Sequence, residues 1–160
     1  MARIPENKVQ AAFIILMLVL LAAVTSLFWL STAASRPSNL GVHNGRLAPC
    51  PDSPNCVSTQ AEDHDHWIAP LTYAPDSDNV ISLLERIVRQ LPRTRVIEKT
   101  QDYLYVEFRT AIFGFTDDVE FYVEAESGRV HFRSASRVGR SDFGVNRARM
   151  ERIRGSALHR

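Results

Sequence analysis

The sequence predicts an α+β protein: an N-terminal transmembrane helix, then a small domain in which an antiparallel β-meander of about four strands is packed by two helices. Three observations predict it. An uncharged apolar run fills residues 11–30, residues 78–91 repeat apolar side chains at helical spacing, and later segments alternate apolar and polar residues with the period of a strand.

Residues 1–10 form a short N-terminal tail. The run Ala11 to Leu30 (AAFIILMLVLLAAVTSLFWL) follows, and at about 1.5 Å per residue such a helix reaches roughly 30 Å, the thickness of a hydrocarbon core. A cleaved signal peptide is the competing reading, because Arg3 and Lys8 precede the run and Thr32-Ala33-Ala34-Ser35 offers a small-residue cleavage site. Secretory cores run about 7–15 residues. This one is longer, and Trp29 suits an interfacial anchor. Basic charge in front of the run (Arg3, Lys8 and the amino terminus, less Glu6) against Arg36 and Arg46 behind it favours an inside N-terminus only slightly. The expected location is therefore a cell inner membrane, crossed once, with the C-terminal domain on the periplasmic or extracytoplasmic side.

Residues 31–46 read as a flexible linker, since Ser35 to Arg46 (SRPSNLGVHNGR) is rich in Ser, Pro, Asn and Gly. Residues 47–160 have the length of one domain with one modest core. Within it, Cys50 and Cys56 are the only cysteines, and outside the cytoplasm two such close cysteines read first as a disulfide. Two free thiols, or a metal site completed by His64 and His66, are the alternatives. The spacing is not a standard zinc pattern, so no metal is expected.

Residues 78–91 (DNVISLLERIVRQL) place Val80, Leu84, Ile87, Val88 and Leu91 on one helical face, with Ser77 or Asp78 as cap and Pro92 beyond the end. Arg95–Thr100 reads as a strand. In Tyr103–Thr110, Leu104, Val106 and Phe108 alternate with Tyr105, Glu107 and Arg109, which predicts one core face and one polar face. Val119, Phe121 and Val123 alternate likewise, and Val130 and Phe132 resume after Ser127-Gly128. This is a hairpin. A two-residue loop sets Val123 opposite Phe132, Ala125 opposite Val130, Glu124 opposite His131, Glu126 opposite Arg129 and Asp118 opposite Arg137. A four-residue loop keeps the same faces, whereas a three-residue loop would mix them. A short helix is expected from about Val145 to Arg154, capped by Ser141 or Asp142.

Charge is distributed unevenly. Residues 50–127 carry six basic and fifteen acidic side chains, and residues 128–160 carry nine arginines against Asp142 and Glu151. Of the basic residues seventeen are Arg and two are Lys, which favours planar pairing with carboxylate or phosphate. The basic tail either folds against the acidic middle or binds an anion. The arginine count alone suggests nucleic acid, but an exported domain conflicts with that, and no nucleic-acid partner is expected.

Three stretches carry a resemblance: Cys50-Pro-Asp-Ser-Pro-Asn-Cys-Val-Ser-Thr59, Phe113-Gly-Phe-Thr-Asp-Asp-Val-Glu-Phe121, and Arg133-Ser-Ala-Ser-Arg-Val-Gly-Arg-Ser-Asp-Phe-Gly-Val-Asn-Arg147. Over about residues 47–158 the chain resembles the bacterial domain-of-unknown-function family 1499. The resemblance implies a small envelope protein with an N-terminal anchor or lipoprotein signal. It attaches no activity, and no cysteine follows the apolar run here to carry a lipid.

The candidate ligand-binding residues are Asp118, Glu120, Arg133, Ser136, Arg137, Arg140, Asp142, Asn146 and Arg147. Arginines beside a helix start make an anion site, and the internal alternative has them brace Asp117, Asp118, Glu120 and Asp142. The apolar loop Ala111-Ile-Phe-Gly-Phe-Thr116 either tucks Phe113 and Phe115 into the core or meets lipid or a membrane partner. The expected role is a non-catalytic module that binds an anionic small molecule or lipid headgroup, or docks onto a membrane protein. The alternative is a small envelope hydrolase or metal-dependent enzyme using Asp117/Asp118 or Ser136/Ser141. No phosphate-loop, dinucleotide or nucleophile-elbow fingerprint is present, so no cofactor and no catalytic residue are expected.

Overall fold

The computed structural model describes residues 6–73 and 79–158. Helix α1 (Glu6–Ala33) is exposed along its apolar length, and its stretch Asn7–Ala33, with a mean hydropathy of 2.8, is long and apolar enough to cross a membrane. The domain then runs β1 (Cys56–Ser58), β2 (Leu71–Thr72), α2 (Val80–Arg89), β3 (Thr94–Lys99), β4 (Tyr103–Arg109), β5 (Thr116–Glu124), β6 (Arg129–Ser136) and α3 (Val145–Leu158). This is the α+β class read from the sequence. The expected caps of α2, Ser77 and Asp78, lie outside the described residues. Asn79 precedes the helix in a left-handed conformation.

All the strands pair antiparallel in one sheet of order β1-β6-β5-β4-β3, with β2 also on β6. The four-strand meander is β3 to β6. Strands β1 and β2 are additions that periodicity could not reveal, because two or three residues show no alternation; they are extended because the outer edge of β6 offers them partners.

In the β5–β6 hairpin Val123 faces Val130, Phe121 faces Phe132, Glu120 faces Arg133 and Glu124 faces Arg129. The loop is therefore the four-residue one, and the register of the two-residue loop is corrected by two positions. Asp118 lies opposite Ala135 rather than Arg137, and Glu124 is not opposite His131. The physical cause is local. Residues Ala125–Ser127 form a 3₁₀ turn closed by Gly128 in the left-handed region, at φ 63°. Parity is unchanged, so every side chain keeps the expected face.

One face carries the core. Leu104, Val106, Val119, Phe121, Val130 and Phe132 are buried beneath Ile81, Leu84, Ile87 and Val88 of α2 and Met150 and Ile153 of α3. The other face, expected to be polar, is covered too. Leu40, Val42 and Leu47, from the chain between α1 and β1, pack on Tyr103 and Tyr105, and Gly41 N–H donates to Glu120 Oε1 at 2.7 Å. Residues 35–46, read from composition as a linker, thus make defined contacts with the sheet, and Tyr105 and Glu107 are buried. Cys50 and Cys56 form a disulfide that ties this covering segment to β1, with Cα atoms 5.7 Å apart.

Candidate functional site

The nine candidate residues do not form one site, because alternate strand positions send them to opposite faces of the sheet. On the covered outer face Arg137 is the hub. Its Nε and Nη2 donate to the two oxygens of Asp118 at 3.0 and 2.7 Å, and Nη2 also donates to Glu107 Oε1 at 2.5 Å and to the Tyr105 hydroxyl at 3.0 Å. Tyr105 in turn donates to Asp118 at 2.6 Å. Arg36 reaches Glu107 at 3.2 Å and lies over the Tyr105 ring. Burial pushes the Glu107 carboxyl up, and the hydrogen bonds from Arg137 and Arg36 outweigh it and hold the group below the usual carboxylate range.

Deeper on that face sit Glu120 and Arg133. Glu120 is 0% exposed and accepts from Gly41 N and the Tyr103 hydroxyl, both on Oε1. Its Oε2 stands 3.7 Å from Arg133 Nη1, too far for a hydrogen bond, and Glu120 Oε2 and Arg133 Nε and Nη1 are buried without a partner among the described residues. Burial accordingly pushes the Glu120 carboxyl up and the Arg133 guanidinium down.

On the helix face the hub is Asn146. Its side-chain oxygen accepts from Ser134 Oγ at 2.6 Å and Arg149 Nη1 at 2.5 Å, while its Nδ2 donates to Asn55 O at 2.9 Å and Ser136 Oγ at 3.0 Å. Arg149 also pairs with Asp117. Asp142 starts α3 by accepting from Gly144 N and Asn146 N. Arg147 holds the carbonyls of Asp65 and Trp67 at 2.8 and 3.0 Å. Arg140 is exposed at the loop. Asp117 and Asp118, weighed as an acid–base pair, are on opposite faces, each in an ion pair with a different arginine. His66 is bound to Asp63 and to the Ser53 carbonyl, and His64 is exposed. Among the described residues no group of three or more His, Cys, Asp or Glu side chains is placed to hold a metal ion.

The third feature is apolar. Phe113 and Phe115 contact each other, with ring centroids 5.8 Å apart, but they stay half-buried at the end of the β4–β5 loop and do not enter the core. Ile112 beside them is 82% exposed, and Phe143 in the β6–α3 loop is 96% exposed. Phe143 also has φ 54°, a left-handed conformation unfavourable for a bulky side chain. Between these loops lies a cleft of about 430 Å³ whose lining includes Phe115, Val138, Phe143 and Val145 together with Leu27 and Leu30 of α1.

The sequence model of a family described as Protein of unknown function (DUF1499) matches residues 46–156. The chain belongs to that family. No curated protein and no solved structure matches it. The three DUF1499 stretches, far apart in sequence, meet around the β5–β6 hairpin: the first supplies Asn55 to Asn146 of the third, and the second supplies Asp118 to Arg137 of the third. Four arginines outside the candidate set share a second cleft of about 270 Å³: Arg93, Arg109, Arg149 and Arg152. Sequence reasoning passed over them because they come from the α2–β3 turn, β4 and α3 of the DUF1499 domain, and no run or spacing marks the three segments as neighbours.

Proposed function

We propose that α1 is retained as a single-pass anchor, and that the domain lies outside the cytoplasm and works as a non-catalytic module that seats its apolar end on the bilayer beside that anchor. The observation that carries this reading is the shared cleft: Leu27 and Leu30 belong to the apolar helix, yet they line the same space as Phe115, Phe143 and Val145. At about 1.5 Å per residue Leu27 is about 9 Å from the end of α1 at Ala33, within reach of the headgroup boundary. Loops that share a cleft with this part of a spanning helix lie at the membrane surface. The exposed Ile112 and Phe143 then have an apolar medium to enter, and the disulfide suits an oxidising compartment.

The test uses the full chain in nanodiscs that contain a photoactivatable lipid, with labelled peptides mapped by mass spectrometry. Labels on 111–115 and 143–145 as well as on α1 are expected. Labels confined to α1 would refute the seating.

A further inference from the structure

The apolar cleft does not end at its own walls. Thr110 and Val145 line both it and the arginine cleft, so the two spaces adjoin across one boundary, where Arg149 pairs with Asp117. The apolar side presents Phe115, Phe143, Leu27 and Leu30; its two carboxylates, Asp117 and Asp142, are already held by Arg149 and by the start of α3. The other side presents Arg93, Arg109 and Arg152, and no acidic residue lines it. Arg93 uses Nε on the Arg109 carbonyl, and the guanidinium groups of Arg109 and Arg152 have no partner among the described residues. Three exposed arginines thus border a space next to one that favours hydrocarbon.

We propose that the paired clefts take one anionic phospholipid of the leaflet around α1, its acyl chain along Phe115 and Phe143 and its phosphate among Arg93, Arg109 and Arg152. This rests on the seating proposed above. The spacing fits. Helix α3 starts at Val145, on the boundary, and carries Arg149 and Arg152 about 6 and about 10 Å along its axis, comparable to the headgroup layer of about 5–8 Å on each side of a bilayer. Charge favours an anionic headgroup over a zwitterionic one, because a net positive cleft gains less from a phosphate whose own ammonium offsets it and is itself repelled. A wholly soluble phosphoester would leave the apolar half unused. A wholly neutral lipid would leave three arginines unpaired.

The test uses the full-length protein, reconstituted in nanodiscs of phosphatidylcholine with a minority of phosphatidylglycerol, then extracted gently and weighed by native mass spectrometry. Retention of one phosphatidylglycerol is expected, falling by about thirtyfold in the doubly substituted Arg109→Gln, Arg152→Gln protein. Both side chains are exposed, and an unchanged unfolding temperature checks that the variant folds. Equal retention of phosphatidylcholine, or retention untouched by the double substitution, would overturn the headgroup site, whereas photolabelling of 111–115 would persist if the seating alone is correct. Complete displacement of the lipid by soluble glycerol phosphate would also overturn it, by showing that the anion is recognised without its chain.

Discussion

Arg137→Met removes the guanidinium that joins Asp118 to Glu107 while keeping an apolar stem of similar reach. All three side chains are at least nine-tenths buried, so the change leaves two carboxylates without their main partner in a poorly solvated layer. Breaking a buried pair in this way costs about 3–5 kcal/mol. Asp118 keeps the Tyr105 hydroxyl at 2.6 Å and Glu107 keeps Arg36 at 3.2 Å, which places the expected loss near the low end, about 3 kcal/mol. For a domain of this size that is a fall in unfolding temperature of about 12 °C. The assay is thermal and urea unfolding of the full chain in detergent, followed by tyrosine and tryptophan signals. The loss depends on pH. Glu107 is held below its usual range in the folded state, so its stabilisation is present above the unfolded carboxylate range and disappears as pH falls through the lowered folded value. Wild type and variant should therefore converge in acid. A difference below about 1 kcal/mol at neutral pH, or one that does not shrink on acidification, would refute the claim that Arg137 is a brace.

Glu120→Gln tests the neighbouring group with the opposite sign. Burial raises the folded carboxyl above its usual range, so the protonated form stabilises the fold at low pH and that contribution is lost as pH rises through the raised value. The glutamine variant should gain on the wild type in urea midpoints as pH rises from the unfolded carboxylate range through the raised folded value; a flat difference would contradict it. Replacing Cys50 and Cys56 together with serine opens a loop of sequence separation 6 and should cost about 2 kcal/mol by the loop-entropy estimate, and an unchanged midpoint would show that the crosslink does not constrain the unfolded chain.

Much of the fold is legible because it is local. The alternation in Tyr103–Arg109 and Thr116–Glu124 and the stripe through Leu84, Ile87 and Val88 are set by neighbours within a few positions. Helix α3 is less plain: its buried positions Asn146, Met150, Ile153 and the half-buried Ala157 recur at helical spacing, but one of the four is polar, and its bonds to Ser134, Ser136, Asn55 and Arg149 make that asparagine a core residue. The candidate site was legible as residue types and not as partners. Arg137, Asp118 and Glu120 do share a face, as strand parity requires. Glu107 and Arg36 join that cluster from other segments, and Asn146 belongs to the opposite side.

What residues 1–160 determine alone is whatever depends on a short window: an apolar helix long enough to cross a membrane, the faces of the strands, the cysteine pair and the DUF1499 stretches. Tertiary structure decided the hairpin loop, the covering of the polar face by residues around Gly41, and the lining of one cleft by Arg93, Arg109 and Arg152. The reason is range. Periodicity reports which way a side chain points from its own element, whereas the group it meets is set by chain that returns from tens of residues away, and no local pattern encodes that return.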